Sequence, residues 1–216
     1  PSAVPASARC VVIGAGIVGN CLVGHLARLG WTDLVLLDKG PLPNPGGSTG
    51  HASNFIFPTD HNKEMALLTL ESQRQYAALG LNNECGGIEV ARDESRLEEF
   101  RRRMTSATAW GIDARLLTPD EIAELVPFAN TDVLLGGFYT PSVSVVDSLQ
   151  TGTVMRQQAI DGGALQVFAN TEVLDLEVID GTVRAVVTDR GRIESEHVAI
   201  ACGVWSPRIA AMAGAT

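Results

Sequence analysis

One stretch limits the fold of this chain more than any other. An apolar run, Cys10-Val11-Val12-Ile13, leads into Gly14-Ala15-Gly16-Ile17-Val18-Gly19 and then into an amphipathic segment. The three glycines have separate tasks. Gly14 permits the tight turn off a strand, Gly16 has no Cβ to hold a phosphate away from the backbone, and Gly19 lets a helix pack closely on a sheet. A helix starting here aims unpaired N–H groups and its positive dipole end at the turn, which favours an anion. A second apolar run, Leu34-Val35-Leu36-Leu37, ends on Asp38. This is the place, about 20 residues on, where an acid accepts hydrogen bonds from an adenosine ribose. The glycine pattern alone is a weak signal; with strand, helix and acid in place it predicts a dinucleotide site. Asp38 disfavours a 2′-phosphate and so argues against NADP.

Composition bounds the remaining possibilities. The 216 residues, 45% hydrophobic and 19% charged, suffice for one large domain or one and a half small ones with a substantial core. A formal net charge of −9 argues against a nucleic-acid partner or an anionic membrane surface. No apolar run reaches the roughly 18 residues of a membrane span. Residues 1–8 (PSAVPASA) read as a flexible leader that lacks the apolar centre of a signal peptide. Cys10, Cys21, Cys85 and Cys202 show no C-x-x-C spacing, so a reduced, cytoplasmic protein is expected, or one of the mitochondrial matrix in a eukaryote. His25, His61 and His197 read as structural or surface groups, and no pair has metal-ligand spacing. No Ser/His/Asp constellation is evident around Ser48 and Thr49.

Along the chain, elements alternate in an α/β pattern. Asn62 to Leu81 reads as a helix, Gly86 to Ala91 as a strand, and Asp93 to Trp110 as a charged helix capped by Asp93. Its Arg101-Arg102-Arg103 run reads as a solvated face paired with Glu94, Glu98 and Glu99. A strand ending in Leu116-Leu117 precedes Thr118-Pro119-Asp120-Glu121, an N-cap with proline first and glutamate third, whose short helix stops before Pro127. Val133 to Thr140 reads as a strand, and Val146 to Asp161 as a helix ended by Gly162-Gly163. Leu165 to Phe168 is a strand, followed by a meander over Glu172 to Ile179, Thr182 to Thr188 and Arg192 to Ala201, with Asp180-Gly181 as its first hairpin turn. Residues from about 40 to 145 look inserted between halves of a nucleotide-binding domain. The expected division is a leader over 1–8, the first part of the dinucleotide domain over 9–85, the start of an α+β substrate domain over 86–145, and the second part of the dinucleotide domain over 146–216.

Several segments resemble the dimethylglycine oxidase and dimethylglycine dehydrogenase branch of the D-amino-acid-oxidase-like flavoproteins. Gly40-Pro41-Leu42 followed by Pro45-Gly46-Gly47-Ser48-Thr49-Gly50-His51-Ala52 resembles that branch's Gly-Pro-Leu and Pro-Gly-Gly-Ser-Thr-x-His-Ala. Gly86 to Ala91, Ala109-Trp110-Gly111-Ile112 with Arg115-Leu116-Leu117, Leu135 to Tyr139 with Pro141, and Ala201-Cys202-Gly203-Val204-Trp205 resemble further segments in the same order. The pattern departs at Ser53-Asn54-Phe55, where the branch reads Pro/Ala-Gly-Leu.

The resemblance implies FAD and a Rossmann-like FAD-binding domain of the glutathione-reductase type, with a second domain whose sheet roofs the flavin. It places FAD contacts on Ile17 and Val18 at the phosphates and on Asp38 and Lys39 at the ribose. Ser48, Thr49, Gly50 and His51 fall along the ribityl chain and ring, with Phe55 just beyond, and Val173 faces the adenine. Gly14, Ala15, Gly16, Gly19, Gly47, Ala201 and Gly203 complete the set. His51 matches a histidine joined covalently to the flavin 8α carbon. The implied reaction oxidises an N-methylated amine by hydride transfer to the flavin, the imine then hydrolysing with release of formaldehyde; oxygen or an electron-transfer protein takes the electrons. The branch's substrate-contacting residues follow the position of Thr216, so the chain is expected to be truncated, and no catalytic side chain is assigned. The alternatives are a flavin oxidase of another substrate, such as sarcosine or methylaminobutyrate, and a non-catalytic FAD-binding module. An NAD-dependent dehydrogenase would have no use for the Pro45-to-His51 loop.

Overall fold

The structure is a computed structural model and describes residues 3–215. In chain order, β1 (Ser7–Ile13), α1 (Ile17–Arg28) and β2 (Leu34–Leu37) form the first βαβ unit. β3 (Phe55–Ile56), α2 (Lys63–Ala78), β4 (Asn83–Glu84), β5 (Gly87–Ala91), α3 (Glu94–Ala109), β6 (Arg115–Leu117), α4 (Pro119–Leu125), β7 (Gly136–Thr140) and β8 (Ser144–Val145) follow. The chain continues with α5 (Ser148–Asp161), β9 (Leu165–Phe168), β10 (Val173–Ile179), β11 (Thr182–Thr188), β12 (Gly191–Ile200) and α6 (Ser206–Met212). Two compact units result. One takes the chain up to Ser53 and from Asp147 onward; the other is Asn54–Val146.

The first unit is built on a six-stranded sheet of order β10-β11-β12-β1-β2-β9. β12, β1, β2 and β9 run parallel, while β10 and β11 join as an antiparallel meander. β1 and β2 read as continuous apolar runs because both faces are covered. With a side-chain period of two, Val11, Ile13, Val35 and Leu37 face one core with Ile193 of β12 and Ile209 and Met212 of α6 packed on it. Cys10, Val12, Leu34 and Leu36 face the other core, with Val23 of α1 and Ala159 of α5. Asp180 and Gly181 both take positive φ, 51° and 72°, as a two-residue hairpin turn requires.

In the second unit β5, β7 and β6 form one antiparallel sheet, in the order β5-β7-β6, and the short strands β3, β8 and β4 form another. Phe100 of α3 stacks on Phe138 of β7 with ring centroids 5.8 Å apart. The predicted caps hold: Asp93 accepts from the Arg96 N–H, and Thr118 and Glu121 form a reciprocal capping box.

Several expectations need correction. Residues 54–85 cluster with the second unit rather than with the dinucleotide unit, because β3 and β4 both pair with β8. Within the expected leader, Ser7 and Ala8 belong to β1, where they pair with Glu194 and Ser195, and Val4 packs on the core; Pro1 and Ser2 lie outside the described residues. The strand expected from Val133 starts at Gly136, after a 3-10 turn over Thr131–Val133 in which Asn130 accepts from the Asp132 N–H. The helix expected from Val146 starts at Ser148, with Asp147 as its cap. Arg101 lies on a solvated face with Glu98, but Arg103 does not. Its side chain is only 11% exposed and is paired with Glu89 at 2.7 Å. Asn54, where the resemblance departs from glycine, takes φ 63°, a left-handed conformation that asparagine tolerates. No helix among the described residues is long and apolar enough to cross a membrane.

Candidate functional site

The glycine turn is shaped by sterics that act over a few atoms. Gly14 leaves β1 at φ 106°, and a Cβ there would lie 2.4 Å from the Ala201 carbonyl oxygen. A Cβ on Gly19 would lie 1.8 Å from the Gly14 carbonyl oxygen, so the first turn of α1 sits directly on the β1 exit. Gly16 faces Thr49, whose Oγ1 would be 3.1 Å from an added Cβ. That hydroxyl accepts a hydrogen bond from the Ile17 N–H at 2.9 Å. Thr49 therefore ties the Gly47-to-His51 loop to the start of α1, and the Ser148 hydroxyl donates to the Thr49 carbonyl at 2.8 Å from the far side.

Asp38 is held as firmly. Its Oδ2 accepts from the Ala15 N–H at 2.7 Å and its Oδ1 from the Gly40 N–H at 2.8 Å. Each carboxylate oxygen keeps a lone pair for a further donor.

These parts open on a cavity of about 380 Å³, within the usual range for cofactor sites. Gly14, Gly16, Ile17 and Val18 line it from the turn, and Asp38 and Lys39 from the end of β2. Gly47, Ser48 and Thr49 line it from the loop, Val173 from β10, and Ala201 and Gly203 from beyond β12. Ala15 and Gly19 lie buried behind the turn and support it without facing the cavity. Gly50 packs against the Asn44 side chain, and His51 is exposed at the end of its 3-10 turn; neither lines the cavity. Phe55 belongs to the other unit and is 54% exposed.

One wall was not anticipated. Trp205, Arg208, Ile209 and Met212 close the cavity from α6 and the 3-10 turn before it. Ile209 and Met212 are three residues apart behind Pro207 in the first turn, a short amphipathic signal that sequence reading could have used. Lys39 lies over the Trp205 ring, 5.5 Å from its centroid. Cys202 also faces the cavity, but burial, reinforced by the Asp38 charge, pushes its thiol up. Its Sγ donates to the Ile13 carbonyl at 3.2 Å, which fixes it as part of the wall.

The residues present fit a dinucleotide: a backbone cradle with no room for side chains, a fixed acid for a ribose, and apolar walls wide enough for a purine. The family model described as FAD dependent oxidoreductase matches residues 9–216. The chain belongs to this family. Among curated proteins it is similar to, mouse sarcosine dehydrogenase is 32% identical over 225 residues, covering 97% of this chain and 24% of that protein. The mouse pyruvate dehydrogenase phosphatase regulatory subunit is 30% identical over 211 residues, covering 94% and 24%. Rat dimethylglycine dehydrogenase is 28% identical over 214 residues, covering 96% and 25%. The chain thus spans about a quarter of the length of these curated relatives, and they do not single out the dimethylglycine branch. In structure, L-proline dehydrogenase from P. horikoshii superposes with a TM-score of 0.90 at 24% identity, over 98% of this chain and 57% of that one, which shows the fold.

Proposed function

We propose that the cavity holds FAD and that this chain is the FAD-binding part of an oxidoreductase acting on the CH–NH bond of a small amine or amino acid. The observation that carries the reading is the cradle itself. Gly14, Gly16 and Gly19 clear the backbone at the start of α1, and Asp38 is fixed beside them in a chain that belongs to an FAD family. When bound, FAD supplies the two-electron acceptor. The chain supplies position and charge: first-turn N–H groups of α1 toward the phosphates, Asp38 and Lys39 toward the ribose, Val173 and the α6 wall around the adenine.

Within that class we place N-methylated amino acids of the sarcosine type ahead of dimethylglycine. The support is the higher identity to sarcosine dehydrogenase, 32% against 28%. Oxygen or an electron-transfer protein would accept the electrons. His51 is proposed as the covalent attachment point, supported by its exposed place two residues after the Thr49 anchor. A non-catalytic FAD module is the second reading, favoured by the 30% identity to a regulatory subunit.

Acid precipitation of the purified full-length protein is the test. Yellow colour kept in the pellet, and lost from it in His51→Ala, supports a covalent flavin; colour released by acid from the unmodified protein removes that part of the reading. Bleaching of the bound flavin by sarcosine under anaerobic conditions supports the enzyme. Flavin that sarcosine, dimethylglycine and 4-methylaminobutanoate all fail to bleach supports the module, and a protein that binds no FAD overturns both readings.

A further inference from the structure

Behind the glycine turn lies a cation with no counter-ion among the described residues. Arg156 of α5 is 8% exposed. Its guanidinium donates to Asn20 Oδ1 at 3.0 Å and to Thr153 Oγ1 at 3.4 Å, and no carboxylate pairs with it among the described residues. Asn20 is 3% exposed and lies in the second turn of α1. Its Nδ2 donates to the Ala15 carbonyl at 2.7 Å, so the side chain bridges Arg156 to the middle of the phosphate turn. Gly152 makes the bridge possible: a Cβ there would lie 2.9 Å from Asn20 Nδ2.

Burying a cation without a partner is costly, and a neutral side chain would join α1 to α5 more cheaply. Burial does push the Arg156 pKa down, yet arginine stays protonated in folded proteins. The charge is compensated once an anion occupies the turn that Asn20 touches. The Arg156 field and the N-terminal end of α1 then act on that anion with the same sign.

We propose that Arg156 is a positioning residue for the phosphates of the bound dinucleotide, acting through Asn20 on the glycine turn; this rests on the FAD reading above. Across about one helix diameter, roughly 10 Å, a partly buried unit charge changes anion affinity about tenfold. The effect is confined to ligands that carry phosphate.

The test titrates ADP and adenosine into flavin-free full-length protein carrying His51→Ala, so that no covalent link intervenes. Arg156→Met keeps much of the volume, Arg156→Gln keeps a donor for Asn20, and Arg156→Lys keeps the charge. We expect the Met and Gln variants to lose about tenfold in ADP affinity with adenosine changed by less than about twofold, and the Lys variant to recover most of the loss. Equal losses for ADP and adenosine would make Arg156 a strut between helices, and no loss for either would make it irrelevant to the site; both outcomes overturn the proposal. If Arg156→Met fails to fold, the Gln and Lys variants decide by the same ratio. A parent protein that binds neither ligand overturns the dinucleotide reading along with the inference, whereas an unchanged ratio in variants of a parent that binds ADP strikes the inference alone.

Discussion

The two units of this chain reach order by different means. In the first, Val11, Val12, Leu34, Val35, Leu36 and Leu37 have no solvent exposure, and parallel strands with both faces covered supply two continuous apolar cores. In the second, the strands are at most five residues long, and the buried clusters centre on Ala66, Ala107 and Ile112 and on Ala91, Phe100 and Phe138. A chain of charge runs alongside the second cluster. Glu89 of β5 takes hydrogen bonds from Arg96 at 2.8 Å and from Arg103 at 3.0 Å, and Arg96 reaches on to Glu99 at 2.6 Å. Both guanidiniums lie over aromatic rings, Arg96 over Phe100 and Arg103 over Phe138. Apolar burial is non-directional and tolerates small shifts, whereas a paired charge that is half out of water tolerates few. The first unit is therefore expected to fail through sterics at its turn, and the second through loss of a partner.

The largest effect expected is at Gly19. Even alanine there would set a Cβ 1.8 Å from the Gly14 carbonyl oxygen, against backbone that cannot swing aside. Gly19→Ala should cost more than about 4 kcal/mol and abolish FAD retention. Urea unfolding of single-tryptophan proteins reads the two units separately, Trp31 for the first and Trp110 for the second. A Trp110 transition lost together with that of Trp31 would break the comparison, by making the units one cooperative body.

Next in size is Arg103→Met. It removes a guanidinium with an 11% exposed side chain and leaves Glu89, 24% exposed, with Arg96 alone. A loss of about 2 kcal/mol is expected in the Trp110 transition, with Trp31 unmoved, and Glu89→Gln in the same protein should return part of it. A loss of less than about 0.5 kcal/mol would put this pair with ordinary surface pairs and remove the contrast between the units.

How far sequence reading reached depended on the range of the interaction that decides each feature. The glycine turn was legible because Gly14 and Gly19 are judged by atoms a few residues away. The Asp93 and Thr118 caps were legible for the same reason. The Thr49 hydroxyl meets the Ile17 N–H across 32 residues, and the loop that looked like a flavin contact also pins the helix start. Arg103 looked like its neighbours in a run of three arginines; only β5, which carries Glu89 up to it, sets it apart. Asn20 and Arg156 are 136 residues apart, and nothing local marks either. β3, β4 and β8, two residues each, are too short to show a period, and missing them moved the boundary between units from 85 to 53.

A smaller effect is expected at Thr118→Ala. It removes the hydroxyl that accepts from the Glu121 N–H, and with it half of the capping box on α4. About 1 kcal/mol should be lost, again in the Trp110 transition only. Thr118→Ser should hold most of it; a serine variant as weak as alanine would show that the methyl group packs rather than that the hydroxyl caps.

The smallest effects are electrostatic; they share one sign on acidification, and their number separates the units. Glu99 and Glu121 in the second unit are held below the ordinary glutamate range, Glu99 first by its hydrogen bond from Arg96 and Glu121 by those from Thr118. In the first unit Glu177 is held down by its hydrogen bond from Arg192. A carboxyl whose folded pKa is depressed adds stability above its unfolded pKa, and that stability is lost as pH falls through the folded value. All three side chains are partly open to solvent, so each share is small and screened by salt. With two such groups against one, the Trp110 transition should weaken more than the Trp31 transition as pH drops below the glutamate range. The gap should narrow in about 1 M salt, where the screening length falls to about 3 Å. A Trp31 transition that weakens first, or a gap indifferent to salt, would mean that buried packing rather than surface charge sets the acid limit of the second unit.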